Sequence, residues 1–226
     1  MTENRSKGSK GGTAMDFALD QITFQGPPID DPETFDRLPQ PLRDLLLQVN
    51  GFIQYGGGFH VRGACHEPAW HSLREAWTGE LALSRLFPNV QESDIPFAED
   101  CFGDQFLLRG EAVYLLNAEV GDVEEVSAEF WPFLLGVQKD AVEALGLEPL
   151  VAYLEDGGEL EPGQLLSVRP PFSTLEAEEE GVNLRPTPTA ERLRFLSRLA
   201  ERLSGLPDGA EVEIDFEDEE DGPSAS

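Results

Sequence analysis

An apolar residue recurs every three or four positions in residues 39–51, which is the spacing of one face of an α-helix. The residues of this stripe are Leu42, Leu45, Leu46 and Val49. Proline is tolerated in the first turn of a helix, so the helix is expected to start near Pro39 or Pro41. Gly51 suits the position just after its end. The segment therefore predicts a short amphipathic helix that packs on a core.

A second helical pattern begins after Thr189 and ends at Gly205. Its expected inward-facing residues are Leu193, Leu196, Leu199, Ala200 and Leu203. Residues 210–216 then alternate strictly between polar and apolar side chains, which is typical of a half-buried strand. We expect this helix and strand, within residues 172–216, to form a C-terminal extension that packs on the core.

Residues 95–117 predict a β-hairpin in the middle of a sheet. The segments 106–108 and 112–116 are rich in apolar and β-branched side chains, and they meet at an Arg-Gly-Glu turn. A second turn is expected just before them, at Gly103 and Asp104. Gly103 is predicted to occupy a backbone region that is closed to other residues, and Asp104 is predicted to cap backbone N–H groups there.

These patterns predict an α+β protein in which a mostly antiparallel sheet is flanked by helices. Residues 1–15, rich in glycine, serine and lysine, are expected to form a flexible leader. Residues 16–171 are expected to form the main domain and residues 172–216 the extension. The acidic residues 217–226 are expected to be a disordered tail.

Two further predictions concern polar residues outside these elements. Ser127 is predicted to be the N-cap of a helix that carries the aromatic residues of the segment 130–134. The acidic run at residues 176–180 is predicted to be a solvated loop.

The order of three motifs resembles the SUKH superfamily. Residues 38–51 have the sequence LPQPLRDLLLQVNG, residues 95–108 have IPFAEDCFGDQFLL, and the aromatic helix at residues 130–134 follows an acidic segment. The resemblance covers about residues 38–137, the expected core of a SUKH-like domain at residues 16–171. The superfamily includes fungal regulators of cell-wall synthesis and bacterial immunity proteins that neutralise polymorphic toxins. The resemblance therefore implies binding rather than catalysis, and a structural role for the Gly-Asp turn.

The charge of the chain restricts its partners. It carries 44 Asp and Glu residues against 16 Lys and Arg residues, which gives a formal net charge of −28. The phosphates of nucleic acids and anionic membranes repel such a protein, so we expect neither as a partner. A basic protein is the partner that this charge favours, and solubility alone is the other explanation.

The acidic segment 119–125 is the candidate for the partner-binding surface. Its acids are Glu119, Asp122, Glu124 and Glu125, and no basic residue lies between Glu111 and Glu129. We predict an exposed turn that steers a basic partner, while an ordinary solvated loop is the alternative. Most of the affinity would have to come from aromatic anchors. The candidate anchors, each of which suits the core better, are Trp70, Trp77 and Trp131.

Potential metal ligands and nucleophiles are concentrated in one short segment. They are His60, Cys65, His66, Glu67 and His71. They lack the paired spacing of zinc sites, so we expect no metal and no cofactor. Neither Cys65 nor Cys101 lies in a nucleophile signature, so we expect no catalytic residue and no enzymatic activity. An enzyme that uses this His/Cys segment is the weaker alternative.

The two cysteines are too few for a disulfide framework in a chain of this size, and buried thiols of a cytoplasmic protein are expected. The sequence has no apolar run long enough to span a bilayer and no signal-peptide core. The function favoured is a non-catalytic cytoplasmic immunity protein that binds and neutralises a basic bacterial toxin, with nucleases among the expected targets. The alternative is a regulatory or scaffold module that uses the same fold. The oligomeric state stays open.

Overall fold

A seven-stranded antiparallel sheet organises the structure. In the computed structural model, which describes residues 17–207, 209 and 210, each strand of this sheet pairs with the next one along the chain. The strands are β1 (Ile22–Gln25), β2 (Phe52–Gln54), β3 (Phe59–Val61), β4 (Ile95–Asp100), β5 (Gln105–Arg109), β6 (Ala112–Asn117) and β7 (Asp122–Ser127). A separate antiparallel pair consists of β8 (Gln164–Arg169) and β9 (Asn183–Pro188). The predicted α+β class is confirmed.

Helices flank the sheets. They are α1 (Pro32–Asp36), α2 (Gln40–Gln48), α3 (Leu73–Thr78), α4 (Leu83–Leu86), α5 (Phe130–Lys139), α6 (Ala141–Leu145), α7 (Glu148–Glu155), α8 (Leu175–Glu180) and α9 (Thr189–Leu203). Short 3₁₀ turns lie at Tyr55–Gly57 and Ala69–His71. Within the described part of the chain, every helix is too short or too polar to cross a membrane.

The first predicted helix is confirmed as α2, whose apolar stripe is fully buried. Pro39 is its N-cap, as the tolerance of proline at this end predicts. The predicted role of Gly51 is wrong in detail, because Val49 is already the extended residue that closes the helix. Gly51 has a φ of +79° and instead shapes the turn into β2.

The central strands of the large sheet are buried on both faces. Successive side chains of a strand point in opposite directions, so one strand can contribute to two cores. In β5, Phe106 and Leu108 belong to one core, which also contains buried residues of α2 and α5. Leu107 points the other way, into a second core that contains Leu196 and Leu199 of α9. The helices α5 and α9 therefore lie on opposite faces of the same hairpin.

The hairpin predicted at residues 95–117 is confirmed. β5 and β6 pair with Phe106 opposite Leu115, and Gly110 turns the chain between them with a φ of +67°. The hairpin lies between β4 and β7, so neither of its strands is at an edge of the sheet.

The C-terminal extension packs on the rest of the protein through α9, whose predicted inward stripe is largely buried. The strand β9 was not predicted from the sequence, and it joins the extension to β8 of the main domain. The strand predicted at residues 210–216 lies outside the described residues except for its first residue. The predicted leader at residues 1–15 and tail at residues 217–226 also lie outside them.

Two local predictions are wrong. Ser127 is the last residue of β7, and Glu129 occupies the N-cap of α5. The acidic run at residues 176–180 belongs to the helix α8, whose N-cap side chain, Thr174, accepts a hydrogen bond from the backbone N–H of Ala177. Two acids of this run, Glu176 and Glu178, lie in the first turn of α8, where negative charge interacts favourably with the helix dipole.

Candidate functional site

The tight turn after β4 is held by Asp100. One oxygen of its carboxylate, Oδ1, accepts hydrogen bonds from the backbone N–H groups of Phe102, Gly103 and Asp104, at 2.8, 2.9 and 3.0 Å. The prediction that Asp104 caps this turn is therefore wrong, and the residue four positions earlier has that role. An aspartate that begins a turn is well placed to accept these donors, which is the Asx-turn geometry.

Asp104 ties the turn to the next loop instead. Its Oδ1 accepts a hydrogen bond of 2.8 Å from the backbone N–H of Ala118. The backbone prediction for Gly103 is confirmed, because its φ is +109°. A Cβ atom at this position would lie 2.5 Å from Cδ1 of Leu196, so a side chain here would displace that leucine of α9.

Glu119 is buried, although the sequence predicted an exposed turn. Its two carboxylate oxygens accept hydrogen bonds from the backbone N–H groups of Phe172 and Ser173, at 3.2 and 2.9 Å. Nη2 of the buried Arg192 lies 3.9 Å from Glu119 Oε1. Glu119 therefore attaches the loop before α8 to the sheet, and its side chain is not available to a partner.

Asp100, Asp104, Glu119 and Arg192 form one cluster, here called the turn cluster. Arg192 Nε donates a hydrogen bond of 3.3 Å to the carbonyl oxygen of Phe102, which links α9 to the turn. Burial, and then the nearby Asp104, raise the pKa of Asp100 well above its ordinary value. Burial also raises the pKa of Asp104 to about 6, and the charge of Glu119 acts in the same direction. The cluster is a structural joint between the sheet and the extension.

The other three predicted acids lie on the exposed strand β7, not in a turn. Asp122, Glu124 and Glu125 are exposed, and together they are called the acidic edge below. Among the described residues, no cation forms a salt bridge with any of them. The hydroxyl of Tyr114 donates a hydrogen bond of 3.1 Å to Glu125 Oε2. The structure therefore keeps three of the four predicted residues together on the surface.

Negative charge continues beyond the strand. The exposed acids of α8 are Glu176, Glu178, Glu179 and Glu180. This helix starts two residues after Ser173, which Glu119 holds beside the hairpin that leads into β7. Exposed apolar side chains accompany these acids: Leu175 is 69 % exposed, Val126 is 41 % exposed and Phe172 is 39 % exposed.

The three tryptophans have structural roles. Trp77 is buried, and its indole Nε1 donates a hydrogen bond of 3.1 Å to the carbonyl oxygen of Glu92. Trp131 is half-buried and packs on the first core. Trp70 is half-buried against Phe24, with ring centroids 4.9 Å apart. The preference for a core position is confirmed for Trp77, whereas Trp70 and Trp131 are only half-buried.

A buried polar network that the sequence did not predict joins β3, β4 and β5. Its members are His60, Arg62, Glu99, Gln105 and His71. Arg62 Nη2 lies 2.6 Å from Glu99 Oε2, and His60 Nδ1 lies 2.8 Å from Glu99 Oε1. Burial raises the pKa of Glu99, but Arg62 and His60 outweigh this effect and bring it to about 2. Glu99 is therefore a carboxylate whose charge is compensated inside the protein.

The two histidines of this network use all of their ring nitrogens within the protein. His60 Nε2 lies 2.8 Å from His71 Nδ1, and His71 Nε2 donates a hydrogen bond of 3.0 Å to the carbonyl oxygen of Asn50. Burial lowers the pKa of His71 to about 3 and lowers the pKa of His60 as well. His60 and His71 do converge, which the sequence spacing did not predict, but they bind each other and their neighbours. Among the described residues, no group of three or more His, Cys, Asp or Glu side chains is placed to hold a metal ion.

The cysteines are poor nucleophiles. Cys65 and Cys101 are free thiols, and both are buried. Burial raises the pKa of Cys65 to about 12 and raises the pKa of Cys101 well above its ordinary value. Since the thiolate is the reactive form, neither side chain is suited to covalent catalysis at neutral pH.

A small cavity borders the polar network. It is lined by His60, Glu99, Trp70 and Gly163, among others, and its volume is about 40 Å³. This volume accommodates only one or a few water molecules, whereas sites for small organic ligands measure about 300–1,000 Å³. Binding on the surface of the protein therefore fits the structure better than binding in this cavity.

The comparisons with known proteins add no family to these observations. No model of a protein family matches the chain, and no curated protein matches it either. The similarity to the SUKH superfamily therefore stays a prediction from the three sequence motifs. The function proposed below is argued from the geometry of the protein surface.

Proposed function

We propose that this protein is a non-catalytic cytoplasmic binding protein that receives a basic protein partner on the acidic edge. In its most specific form, the proposal is an immunity protein that neutralises a basic bacterial toxin by covering its active site. One observation carries the proposal: Asp122, Glu124 and Glu125 are exposed on an edge strand, without a salt bridge to any cation in the described residues.

The electrostatic reason is the concentration of one sign of charge. A surface of uncompensated carboxylates attracts a basic partner over a distance and speeds its association. The acids of α8 extend this field, and the apolar side chains of Phe172 and Leu175 offer contact area next to it. Charge would then govern the rate of encounter, and the apolar contacts would slow dissociation.

The experiment is an affinity capture from the native host with three versions of the protein. The first is the unchanged chain, and the second carries Asp122→Lys, Glu124→Lys and Glu125→Lys. The third carries Glu148→Lys, Glu155→Lys and Asp156→Lys, which makes the same change in charge on exposed positions at the two ends of α7. The residues before and within α7 pack on the glycines between β2 and β3, four strands away from β7.

We expect the unchanged chain and the α7 variant to capture the same basic protein, and the β7 variant to lose it. Expression of that protein alone should inhibit growth, and co-expression of the unchanged chain should restore growth. The proposal fails if the captured partner is acidic, or if the β7 variant binds as well as the α7 variant.

A further inference from the structure

In the part of the chain that the structure describes, the strand β7 has an open edge. It is the last strand of the large sheet and pairs with β6 on one side. On its other side, the described residues contain no further strand and no backbone hydrogen bond to β7. The N–H and C=O groups of alternate residues of an edge strand point away from the sheet, so about half of the six residues of β7 direct their backbone donors and acceptors away from β6.

Carboxylates stand on both faces of this edge. Glu124 pairs with Leu115, which packs on the first core, and Glu125 pairs with Tyr114, which packs on the second core. Neighbouring residues of a strand point to opposite faces of the sheet. A chain that paired with β7 would therefore meet negative charge above and below its backbone.

The opposite edge of the sheet differs in length and charge. β1 has four residues, Ile-Thr-Phe-Gln, and carries no charged side chain. Phe24 of β1 packs inward against Trp70 and His71, with ring centroids 4.9 and 5.1 Å away. The combination of an open backbone and charge on both faces is thus found at β7 and not at β1.

Charge selects the occupant of this edge. A second copy of the chain would place its own three carboxylates opposite those of the first, and like charges directly opposite each other destabilise a strand pair. An opposite charge at each of these positions stabilises it. The complementary strand therefore carries Lys or Arg at neighbouring positions, so that basic side chains reach both faces.

We propose that an extended basic segment of the partner pairs with β7 as an eighth, antiparallel strand of the large sheet. This inference rests on the proposed function, because it takes the partner to be a basic protein, and it adds the mode of binding. In strand addition, main-chain hydrogen bonds supply affinity and side-chain contacts supply specificity. Antiparallel pairing continues the arrangement of all six existing pairs of this sheet.

The test uses a synthetic peptide, Thr-Lys-Arg-Val-Lys-Arg-Val-Thr, as the probe. Glu124→Pro and Glu125→Pro each remove one carboxylate charge and one backbone N–H. Glu124→Gln and Glu125→Gln are the matched controls, because each removes the same charge and keeps the backbone N–H. Because N–H groups alternate along the strand, one of the two prolines removes a hydrogen bond to β6 and the other removes a donor from the open edge. Thermal unfolding identifies the proline variant that affects only the open edge, because this variant melts at the same temperature as its glutamine counterpart.

We expect the well-folded proline variant to bind the peptide about tenfold or more weakly than its glutamine counterpart, a loss of about 1.4 kcal/mol or more. In the unchanged protein, the peptide should slow hydrogen exchange of alternate amides in residues 122–125, which precede the register shift between Glu125 and Ser127. This measurement does not depend on the folding of any variant. Sedimentation should show that the free protein does not pair through β7.

Equal affinity of the proline and glutamine variants, or unchanged exchange of the β7 amides, would overturn strand addition. The proposed function would survive such a result if the β7 charge-reversal variant still lost the captured partner. If charge reversal leaves capture intact, the proposed function itself is wrong. A dimer that the β7 substitutions abolish would assign the edge to a second copy instead.

Discussion

The carboxylates inside this protein and those of the acidic edge have different roles, although both come from the same acidic sequence. Inside, Glu99, Asp100 and Glu119 each accept hydrogen bonds from defined partners at 2.6–3.2 Å. At the edge, Asp122 and Glu124 are exposed, and Glu125 has one hydrogen bond to a tyrosine. Net charge therefore does not say which acids a partner can reach. The predictions below separate acids that stabilise the fold from acids that are available for binding.

The largest effect is expected at the buried polar network. Glu99→Leu leaves Arg62 buried without its carboxylate, and removal of one partner of a buried ion pair costs about 3–5 kcal/mol of unfolding free energy. The double variant Arg62→Leu with Glu99→Leu should lose less than the single variant, because no uncompensated charge remains. Urea unfolding measures both. A double variant less stable than Glu99→Leu would contradict this account of the network.

The next effect concerns two glycines that both have positive φ. Gly103→Ala combines backbone strain with a Cβ placed 2.5 Å from Leu196, so we expect a loss of about 2–4 kcal/mol. Gly110→Ala is the control, because no atom lies within 4 Å of its added Cβ. Strain alone should cost about 1–2 kcal/mol there. Equal losses of unfolding free energy for the two variants would show that the contact with Leu196 of α9 adds nothing to the backbone strain at Gly103.

A third test compares two acids of one segment, Glu119 and Glu124. Glu119→Ala leaves the N–H groups of Phe172 and Ser173 without their acceptor, which should cost about 1–3 kcal/mol. Glu124→Ala removes an exposed side chain and should change stability by less than about 0.5 kcal/mol. If the two variants unfold at the same urea concentration, burial does not distinguish these residues.

The pH dependence of stability should reveal the turn cluster. The pKa of Asp104 is raised to about 6 in the folded protein, above its model-peptide value of 3.8, so the folded state binds the proton more tightly than the unfolded state. The contribution of this group to stability is fully present below pH 3.8 and is lost as the pH rises through about 6. Asp104→Asn keeps an acceptor for Ala118, and its advantage over the unchanged protein should be largest at pH 7 and shrink towards pH 4. Urea unfolding at several pH values measures this difference, and a constant difference would contradict the assignment.

The smallest effect on stability is expected at the acidic edge. Reversal of Asp122, Glu124 and Glu125 to lysine should change the unfolding free energy by less than about 0.5 kcal/mol per position, because the side chains are exposed. Association with the partner should nevertheless slow, and for the unchanged protein it should also slow as salt approaches physiological strength. Stopped-flow mixing measures both rates. A large loss of stability would place these acids in the structural group with Glu119.

Much of the fold was predictable because the patterns that specify its helices and hairpins lie within short stretches of the sequence. The stripe of α2, the stripe of α9 and the hairpin at residues 105–117 follow from periodicity and turn residues within about fifteen positions. The positive φ of Gly103 also follows from the local turn. By contrast, the sequence did not indicate β9, and acidic composition alone suggested a loop where α8 forms.

The candidate site was predictable in part. The predicted exposure is confirmed for Asp122, Glu124 and Glu125 and is wrong for Glu119. Sequence by itself determined that residues 119–125 are acidic and that no basic residue lies among them. Tertiary structure decided that Glu119 is buried, because it meets backbone groups 53 and 54 positions later in the chain. It also decided that His60 and His71 bind each other, and that β7 is the last strand of the sheet among residues 17–207. Burial and strand order depend on which distant segments approach each other, and no local pattern contains that information.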